Sequence, residues 1–569
     1  MSIQEQMNRF AAAPMDVGVS RSLFNRNHSV KFSFNVGQLI PFYIDDVMPG
    51  DTFTVNTSKV VRVQPLVTPV MDNLFLDTYY FFVPYRLVWS HWKNFMGESA
   101  KAWIPQVTYT TPKIVIPTGG FPCGSIADYL GVPIGVGDGV KINALPFRSY
   151  ALIASEWFRD TSTQDAINVP VTDSDVIGEN DLTLALSQEI NYVAKGGKPY
   201  QVTKYPDYFT SCLPSPQRRS TPIGISLGDN KAPVISLSST IDDISKYNYA
   251  PVTFGYPDSD DNLNAYENEG QHQLFTGSNG QFKMGSGTVS TAVKSDSLMF
   301  NNLFVDASDF DAIPINEFRF AFALQRYYEK LARGGDRYVS IIKSFYGVDS
   351  PDARMQRPEY LGGNRLPLNV SQVENVTNQS TNIDPIGSVA GLSVTGDVNS
   401  DFTKSFTEHG IVMGVCCVRY NHTYQQGIDP IFQRSTVFDY YNPTFANIGE
   451  QPVKKQTIYL SAANAANDPN NSTFGYQEYA ADYRYKPNRV AGELRSAYTT
   501  PLDMWHFADE YASLPYFNLG WMKEDLSPVD RCLAVTSSVS NQLIADFYIE
   551  CHASRPMPLY SIPGLIDHH

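Results

Sequence analysis

The sequence offers few arrangements of side chains that could do chemistry, and the first is a serine motif. Residues 224–228 have the G-x-S-x-G spacing, which in hydrolases holds a serine nucleophile at a sharp turn between a strand and a helix. Here Ser226 is followed by loop-forming residues, among them Asn230 and Pro233. The motif therefore predicts an ordinary turn. Nowhere else does a motif bring together an acid, a base and a nucleophile, so we do not expect an enzyme.

A second pattern is similar to a calcium-binding loop. Asp258, Asp260, Asn262 and Glu269 occupy positions 1, 3, 5 and 12 of an EF-hand template, whose oxygen atoms surround a divalent cation. Position 6 is Leu263, where that loop needs glycine, and no flanking helices are evident. A solvated acidic loop is the better prediction, and a weakly bound divalent cation stays open. No other cofactor is expected.

Basic residues are concentrated near the N-terminus. Arg9, Arg21, Arg26 and Lys31 outnumber the acidic residues around them, although the whole chain has 43 Lys and Arg against 58 Asp and Glu, a net charge of −15. Sparse cations on an extended segment can follow a phosphate backbone, so these four are the candidate DNA-facing residues. A solvated tail or an arm that clamps a neighbouring subunit is the alternative interpretation.

Composition excludes several classes of protein. Aromatic residues make up 13% of the 569 residues and charged residues only 18%, a bias that large subunit interfaces share. No apolar run approaches the roughly 18 residues of a membrane span, and residues 1–10 lack the apolar core of a signal peptide. The acidic balance disfavours a protein that mainly coats nucleic acid. The six cysteines follow no CxxC spacing, so we expect buried thiols, with Cys416 and Cys417 on opposite faces of a strand.

Most of the elements that would position these groups are strands. Alternating or dense apolar runs predict strands at 30–36, 52–55, 60–63, 76–83, 410–420, 456–460, 477–485, 531–536 and 543–551. Helical spacing and glycine stops predict helices at 86–96, 146–159, 316–333 and 336–346. Strands at both ends, with helices and irregular stretches between them, favour one mainly β sandwich with large insertions over a string of domains.

The predicted organisation has an arm, one domain and one unusual insertion. We expect residues 1–29 to form an extended basic arm and residues 30–569 to form a single domain. Residues 251–300 are rich in small polar residues, carry a net charge of −4 and show no persistent helix or strand period. A loop of this length inside a compact domain is usually functional.

Several strings of the sequence are more specific than its periodicities. They include Phe81–Pro84 (FFVP), Asn143–Arg148 (NALPFR), Gln356–Gly363 (QRPEYLGG) and Arg555–Tyr560 (RPMPLY). Together they resemble the major capsid protein of microviruses (Microviridae), and most of all its gokushovirus branch (Gokushovirinae). The resemblance covers nearly the whole chain, but residues 220–310 contain no such string.

This resemblance implies a fold and a set of partners. The fold is an eight-stranded jelly-roll β-sandwich with long inter-strand insertions that carry a few helices. The function is a virion capsid with T=1 icosahedral symmetry around circular single-stranded DNA, assembled in the cytoplasm of a bacterial host. A small basic internal DNA-binding protein and other virion proteins are the expected partners, and no membrane insertion is expected.

The resemblance also implies a threefold surface protrusion, for which residues 220–310 are the candidate. We expect this insertion to contribute to host attachment by binding a cell-surface receptor. The candidate attachment residues, all in its acidic part, are Asp258, Asp260, Asp261, Tyr266 and Glu269.

A jelly-roll protein that binds or cleaves glycans, such as a phage depolymerase, is the alternative from another class. The aromatic content permits it, because aromatic rings can line a sugar site. No carboxylate pair stands at a recognisable motif, however, and the family strings run from end to end. Particle size distinguishes the two, since a lectin or hydrolase would remain a monomer or small oligomer.

Overall fold

Two antiparallel sheets form the framework of the chain. The computed structural model describes residues 20–98, 108–218, 315–334, 337–376, 387–462 and 469–560, together with the backbone of short strands between 234 and 305. The chain divides into two compact units, Met1–Arg218 with Glu329–His569, and Arg219–Tyr328. Both sheets belong to the first unit.

Among the described residues, ten strands make up these sheets. They are β1 (Ser22–Asn25), β2 (His28–Phe34), β3 (Ile40–Val47), β4 (Thr52–Leu66), β5 (Leu74–Pro84), β6 (Glu359–Leu368), β7 (Val370–Glu374), β8 (Val389–Ser405), β9 (Gly410–Tyr420) and β10 (Leu543–Arg555). The first sheet has the order β1-β10-β4-β8-β7, with β2 also paired to β10, and the second has the order β6-β5-β9-β3. The chain is therefore a mainly β sandwich, as predicted. Most successive strands lie in opposite sheets, which matches the jelly-roll order that the resemblance implies.

Alternation of apolar and polar residues explains why these segments bury one face. In β10 every second residue from Leu543 to Ala553 is buried. The same alternation runs through β4 from Thr52 to Val63, where the sequence predicted two separate strands. The central part of β4 escaped prediction because Thr57 and Lys59 are polar yet point inward. Thr57 hydrogen-bonds with Tyr80 of the facing sheet over 2.6 Å, and Lys59 Nζ donates to Thr78 Oγ1 over 2.9 Å.

Aromatic rings fill the space between the two sheets. Phe547 of β10 packs edge-to-face against Phe42 of β3, with 5.0 Å between the ring centroids. Phe32 of β2 meets the same Phe547 ring at 5.1 Å, and Phe42 meets Tyr80 of β5 at 5.5 Å. Because Phe547 has no exposed surface, loss of its ring would leave a cavity that its neighbours cannot easily fill.

The second sheet is buried on both faces, so it is the middle of three layers. In β9, Val412 and Cys416 belong to the core shared with the first sheet. Met413 and Cys417 belong to another core, formed with residues from the segment 114–202. The two neighbouring cysteines thus point to opposite faces and are buried thiols, as predicted. The predicted strand at 410–420 is also confirmed.

Helix α1 (Leu145–Ile153) is a main element of the covering layer, and it continues as a π-helical turn at Ala154–Phe158. Pro146 lies in the first turn, where its missing N–H leaves no hydrogen bond unmade. Tyr150 is fully buried, and its hydroxyl donates to the carbonyl oxygen of Leu39 over 2.6 Å. The helix predicted at 146–159 is therefore confirmed.

Shorter elements complete the insertions. Further helices lie at Tyr85–Val88, Trp92–Phe95, Ile126–Tyr129, Glu189–Tyr192, Ile315–Gly334, Tyr338–Tyr346, Leu519–Met522 and Ser527–Cys532. Single 3₁₀ turns lie at Leu186–Gln188, Val193–Lys195, Pro430–Phe432, Val437–Asp439, Pro443–Phe445, Lys455–Thr457, Pro469–Asn471, Ala481–Tyr483, Gly492–Leu494 and Asp503–Trp505. Small paired strands lie at Lys113–Val115, Lys141–Asn143, Val176–Ile177, Thr423–Tyr424, Glu450–Lys454, Thr473–Glu478 and Asn488–Arg489.

Two predicted strands are wrong, and a third, at 477–485, is wrong beyond Glu478, where the strand Thr473–Glu478 ends and the 3₁₀ turn Ala481–Tyr483 follows. Residues 456–460 overlap the 3₁₀ turn Lys455–Thr457, and residues 531–536 overlap the end of the helix Ser527–Cys532. In that helix Val529 and Cys532, three residues apart, are buried together, which is helical rather than strand spacing. Short apolar runs do not distinguish the two types of element.

The strands β6 to β8 were not predicted from the sequence. Glycine and polar residues hide their pattern, but the glycines are needed for close packing. A Cβ atom on Gly363 would lie 2.0 Å from the Thr78 carbonyl oxygen, and one on Gly362 would lie 2.2 Å from that of Asp401. Only glycine permits strands to approach this closely.

In the second unit, Arg219–Tyr328, the residues described before the helix Ile315–Gly334 are the backbone of short paired strands. Phe254–Pro257 pairs with Leu263–Ala265 and with Met299–Phe300, and Gln273–Thr276 pairs with Phe282–Gly285. The sequence showed no persistent strand period at 251–300, because each of these strands is too short to display one.

Replacing Phe547 with alanine tests the packing between the sheets. We expect Phe547→Ala to lower the free energy of unfolding by about 3–5 kcal/mol, because a buried ring and its contacts are lost. Urea unfolding followed by tyrosine and tryptophan fluorescence measures the change. The matched control is Tyr548→Ala, since Tyr548 follows on the same strand but is 42% exposed. An equal loss in both variants would contradict the assignment of the strand's inner face.

Candidate functional site

The basic N-terminal segment, a predicted DNA-facing site, is part of the first sheet from Ser22 onward. β1 pairs antiparallel with the end of β10, with Ser22 opposite Arg555 and Asn25 opposite His552. β2 continues along the same edge of β10. Residues 22–29, expected to belong to an extended arm, thus contain β1, a two-residue link and the beginning of β2. Arg9 lies outside the described residues.

Arg26 is anchored to an acidic residue rather than pointing freely to solvent. Its guanidinium lies 2.8 Å from the buried carboxylate of Asp45 in β3, and Arg555 approaches the same carboxylate to 3.4 Å. Burial raises the pKa of Asp45, and the two arginines oppose this rise. Arg26 therefore connects β1 to a strand of the second sheet, with its charge already matched. The sequence did not reveal this role, because Asp45 lies in a run of apolar residues.

Lys31 and Arg21 are better placed to meet a phosphate. Lys31 Nζ lies 3.2 Å from Asp546, but both side chains are exposed, and such surface pairs stabilise a protein by about 0–1 kcal/mol. Arg21 is exposed beside Gly50. Lys31 lies opposite Asp546 of β10, and Arg21 precedes Ser22, which lies opposite Arg555. Lys31 and Arg21 are therefore roughly 30 Å apart along the strand direction. The structure therefore arranges these cations as a row, not as a cluster.

A buried group of charged side chains ties the insertion between β9 and β10 to the sandwich. His422 follows β9 and contacts two carboxylates, with Nδ1 2.8 Å from Asp509 and Nε2 3.0 Å from Glu524. Lys204 Nζ donates to the other oxygen of Asp509 over 2.9 Å. All four side chains are at most 4% exposed. We call these four residues the His422 cluster.

The geometry of the His422 cluster fixes its protonation. Both imidazole nitrogens face carboxylate oxygens, so both must donate, and the ring is positively charged. Burial lowers the pKa of His422, but Asp509 and Glu524 outweigh burial and raise that pKa to about 9. Burial also works to raise the pKa of Asp509, yet Lys204 and His422 hold it well below its usual range. The result is a rigid ionic contact between three distant parts of the chain.

A second buried pair lies next to this cluster in the sequence. Lys523 Nζ donates to Glu189 Oε2 over 2.8 Å, and both side chains are 1% exposed. Sequence reasoning missed both groups because their members are far apart in the chain and form no motif. The one available signal was His422, a polar residue two positions after a strand that is almost entirely buried.

The predicted receptor-binding residues Asp258, Asp260, Asp261, Tyr266 and Glu269 lie outside the described residues. Of the loop that fits the EF-hand template, only the backbone of Leu263–Ala265 is described. Within the ranges that are described, no group of three or more His, Cys, Asp or Glu side chains is arranged to hold a metal ion. No helix of those ranges combines the length and apolarity needed to cross a bilayer.

Comparison with known proteins decides the family. Residues 15–565 match the family described as "Capsid protein (F protein)". The chain belongs to this capsid protein family. It is 38% identical to capsid protein VP1 of Spiroplasma virus 4, with 96% of each chain covered, and 37% identical to capsid protein VP1 of Chlamydia phage 1, with 98% of each covered. Capsid protein VP1 of Bdellovibrio phage phiMH2K is 35% identical, over 99% of this chain and 98% of the relative.

The resemblance to microvirus capsid proteins is thereby confirmed. This member of the capsid protein family is a major capsid protein, a structural component of the virion that assembles with copies of itself into a shell. It is not an enzyme, so the interpretation as a glycan-cleaving protein is wrong. The His422 cluster accordingly holds a subunit together and performs no catalysis.

The His422 cluster predicts a loss of stability at alkaline pH. Because the folded-state pKa of about 9 lies above the ordinary value of 6.5, the stabilisation is complete below pH 6.5 and is lost as the pH rises through 9. The difference corresponds to about 3 kcal/mol. Thermal unfolding between pH 6 and pH 10 measures it.

The matched variant is Asp509→Asn, which keeps the shape but removes one of the two carboxylates that hold the imidazolium. We expect the alkaline loss of stability to begin at lower pH in this variant. If its profile has the same midpoint as that of the unmodified chain, the titration belongs to another group.

Proposed function

We propose that this capsid protein forms a T=1 icosahedral shell around circular single-stranded DNA and that the shell assembles in the cytoplasm of the bacterial host. The observation that carries the proposal is the similarity to phage capsid proteins along the full chain, supported by a β-sandwich with strands in jelly-roll order. A closed shell needs heterologous contacts that symmetry completes, and one sandwich with long insertions provides several different surfaces for them.

The charge of the subunit limits how it can hold DNA. A net charge of −15 per copy repels phosphates if it is evenly spread. We propose that the row of N-terminal cations, with Arg9, Arg21 and Lys31 as contacts and Arg26 as anchor, faces the genome. A small basic internal protein then supplies most of the neutralising charge, together with other virion proteins as partners.

Particle size and DNA content test the shell. Expressed with its virion partners, the chain should sediment as uniform closed particles of about 3.8 MDa, the mass of 60 copies of 63.5 kDa. The variant Arg9→Ala with Arg21→Ala should lower the DNA packaged per particle and leave the particle yield unchanged, because these residues meet phosphates. Nuclease-protected DNA and particle protein measure both quantities.

The control for that experiment is Arg26→Ala, which removes the anchor to Asp45 and should lower subunit stability. Equal loss of particles and DNA in the Arg9 and Arg21 variant would contradict a DNA contact and indicate an assembly arm. A slow, soluble species in all preparations, even with virion partners present, would contradict the shell.

We also propose that the unit Arg219–Tyr328 contributes to host attachment, as a surface protrusion that binds a cell-surface receptor. Three observations support this role. The unit is compact by itself, residues 251–300 carry a net charge of −4, and residues 220–310 contain none of the family strings. An insertion that forms a unit of its own can carry a binding surface without disturbing the sandwich, which suits it to recognise a particular host.

A deletion separates attachment from assembly. Phe254 pairs with Phe300, so their Cα atoms lie about 5 Å apart and a Gly-Gly turn can replace residues 255–299. We expect this variant to form particles within about twofold of the normal yield and to lose adsorption to host cells at least tenfold. Sedimentation and residual-titre adsorption assays measure the two effects.

Alanine at the five predicted attachment residues should reproduce the loss of adsorption in full-length particles. Failure of the deletion variant to form particles would make the unit a structural part of the shell. Normal adsorption would place receptor binding elsewhere.

A further inference from the structure

An exposed surface of the insertion between β9 and β10 is unusually apolar. Val437 is 81% exposed and Phe438 is 72% exposed. The other large apolar side chains of this surface, each about half exposed or more, are Ile431, Phe432, Tyr440, Tyr441, Ile448, Tyr483 and Tyr485. We call this surface, residues 429–448 with 479–485, the aromatic platform. Contiguous exposed apolar surface on a soluble subunit usually marks a binding site.

The backbone of the aromatic platform is held in place by local hydrogen bonds. Its three 3₁₀ turns, Pro430–Phe432, Val437–Asp439 and Pro443–Phe445, are each capped by a side chain. Asp439 accepts hydrogen bonds from the backbone N–H groups of Ser435 and Thr436, and these bonds lower its pKa to about 2. The apolar residues are thus presented by a fixed surface, which reduces the entropy lost on binding.

The rings of the platform also support one another. Tyr441 lies 5.9 Å from Tyr479, and Phe438 lies 6.0 Å from Phe445, measured between ring centroids. The guanidinium of Arg434 stacks 4.3 Å above the ring of Tyr483 and forms an ion pair with Asp482. A mostly buried arginine among aromatic rings is typical of the centre of a protein–protein contact.

The charges of the platform disfavour a nucleic-acid ligand. Each cation in its two segments is paired with an acidic residue: Arg434 with Asp482, Arg484 with Glu478, and Lys486, which directly follows, with Asp429. A surface that binds phosphates needs cations that are free to pair with them. The platform instead combines neutral, aromatic surface with matched charges, which suits a protein partner.

We propose that the aromatic platform is a contact surface between neighbouring copies of this chain in the shell. A capsid subunit must bury several surfaces against copies of itself. The aromatic platform suits such a contact because its backbone is fixed, its exposed side chains are mostly apolar and its cations are already paired with acidic residues. The inference deepens the proposed shell function, on which it rests, by naming the surface and the partner.

Particle yield with a matched pair of variants tests the proposal. Val437→Asp places a charge on the platform at the first residue of a 3₁₀ turn, where an acidic residue does not disturb the backbone. Val539→Asp is the control, because Val539 is 80% exposed and lies outside the platform. Expressed with virion partners, Val437→Asp should reduce particle yield at least tenfold, and the control should stay within twofold of the unmodified chain.

The melting temperature of each unassembled subunit checks that both variants fold, and Phe438→Ser, which adds no charge, provides a second test. Normal particle yield from Val437→Asp and Phe438→Ser would overturn the platform as a subunit contact while the shell function stands. Absence of particles from the unmodified chain as well would overturn the shell, and the platform proposal with it.

Hydroxyl-radical footprinting identifies the occupant directly. In DNA-free shells, Phe432, Phe438 and Tyr441 should react at least fivefold more slowly than in unassembled subunits. Protection that appears only in DNA-filled particles would overturn the proposal and assign the platform to nucleic acid.

Discussion

The burial of both faces of β9 is the constraint on which the rest of the structure depends. A strand with apolar residues on one face needs one partner layer, but β9 needs two, the first sheet on the side of Cys416 and the covering segment on the side of Cys417. The segment 114–202, which lies between β5 and β6 in the chain, is therefore part of the fold. Without it the second sheet would expose Met413 and its neighbours to water, at about 25 cal/mol for each Å².

Several charged side chains of this subunit are buried, and several large apolar side chains are exposed. The buried cations include Lys59, His422 and Lys523, which form ion pairs or hydrogen bonds where layers of the fold meet. Loss of the partner of any of them would leave an unpaired buried charge and destabilise the subunit. Large apolar side chains such as Phe438 and Tyr483 lie outside. Exposed apolar side chains suit a capsid subunit, because part of its surface is buried against neighbouring subunits in the shell.

Sequence patterns predicted the parts of the fold that depend on local periodicity. β9, β10 and α1 have dense or regular apolar spacing, and they were found at nearly their true bounds. β6 to β8 were missed because glycine and polar residues interrupt their apolar pattern. Gly362 and Gly363 are required by the close approach of neighbouring strands that are distant in the sequence, so no local pattern predicts them. The ion pair of Arg26 with Asp45 was not foreseen, since it depends on a strand from the other sheet. The His422 cluster was unpredictable for the same reason: His422 and Asp509 are 87 residues apart.

The position of β10 has a consequence for the synthesis of the protein. It lies between β4 and the strands β1 and β2, yet it is translated after every other strand of the sandwich. Gln542, just before it, accepts a hydrogen bond from Val36, 506 residues earlier. Until β10 arrives, the facing edges of β2 and β4 have no partner, and such non-local pairing is slow. The first sheet therefore cannot be complete before β10 has been synthesised, and a nascent chain without β10 is not ready to enter a shell.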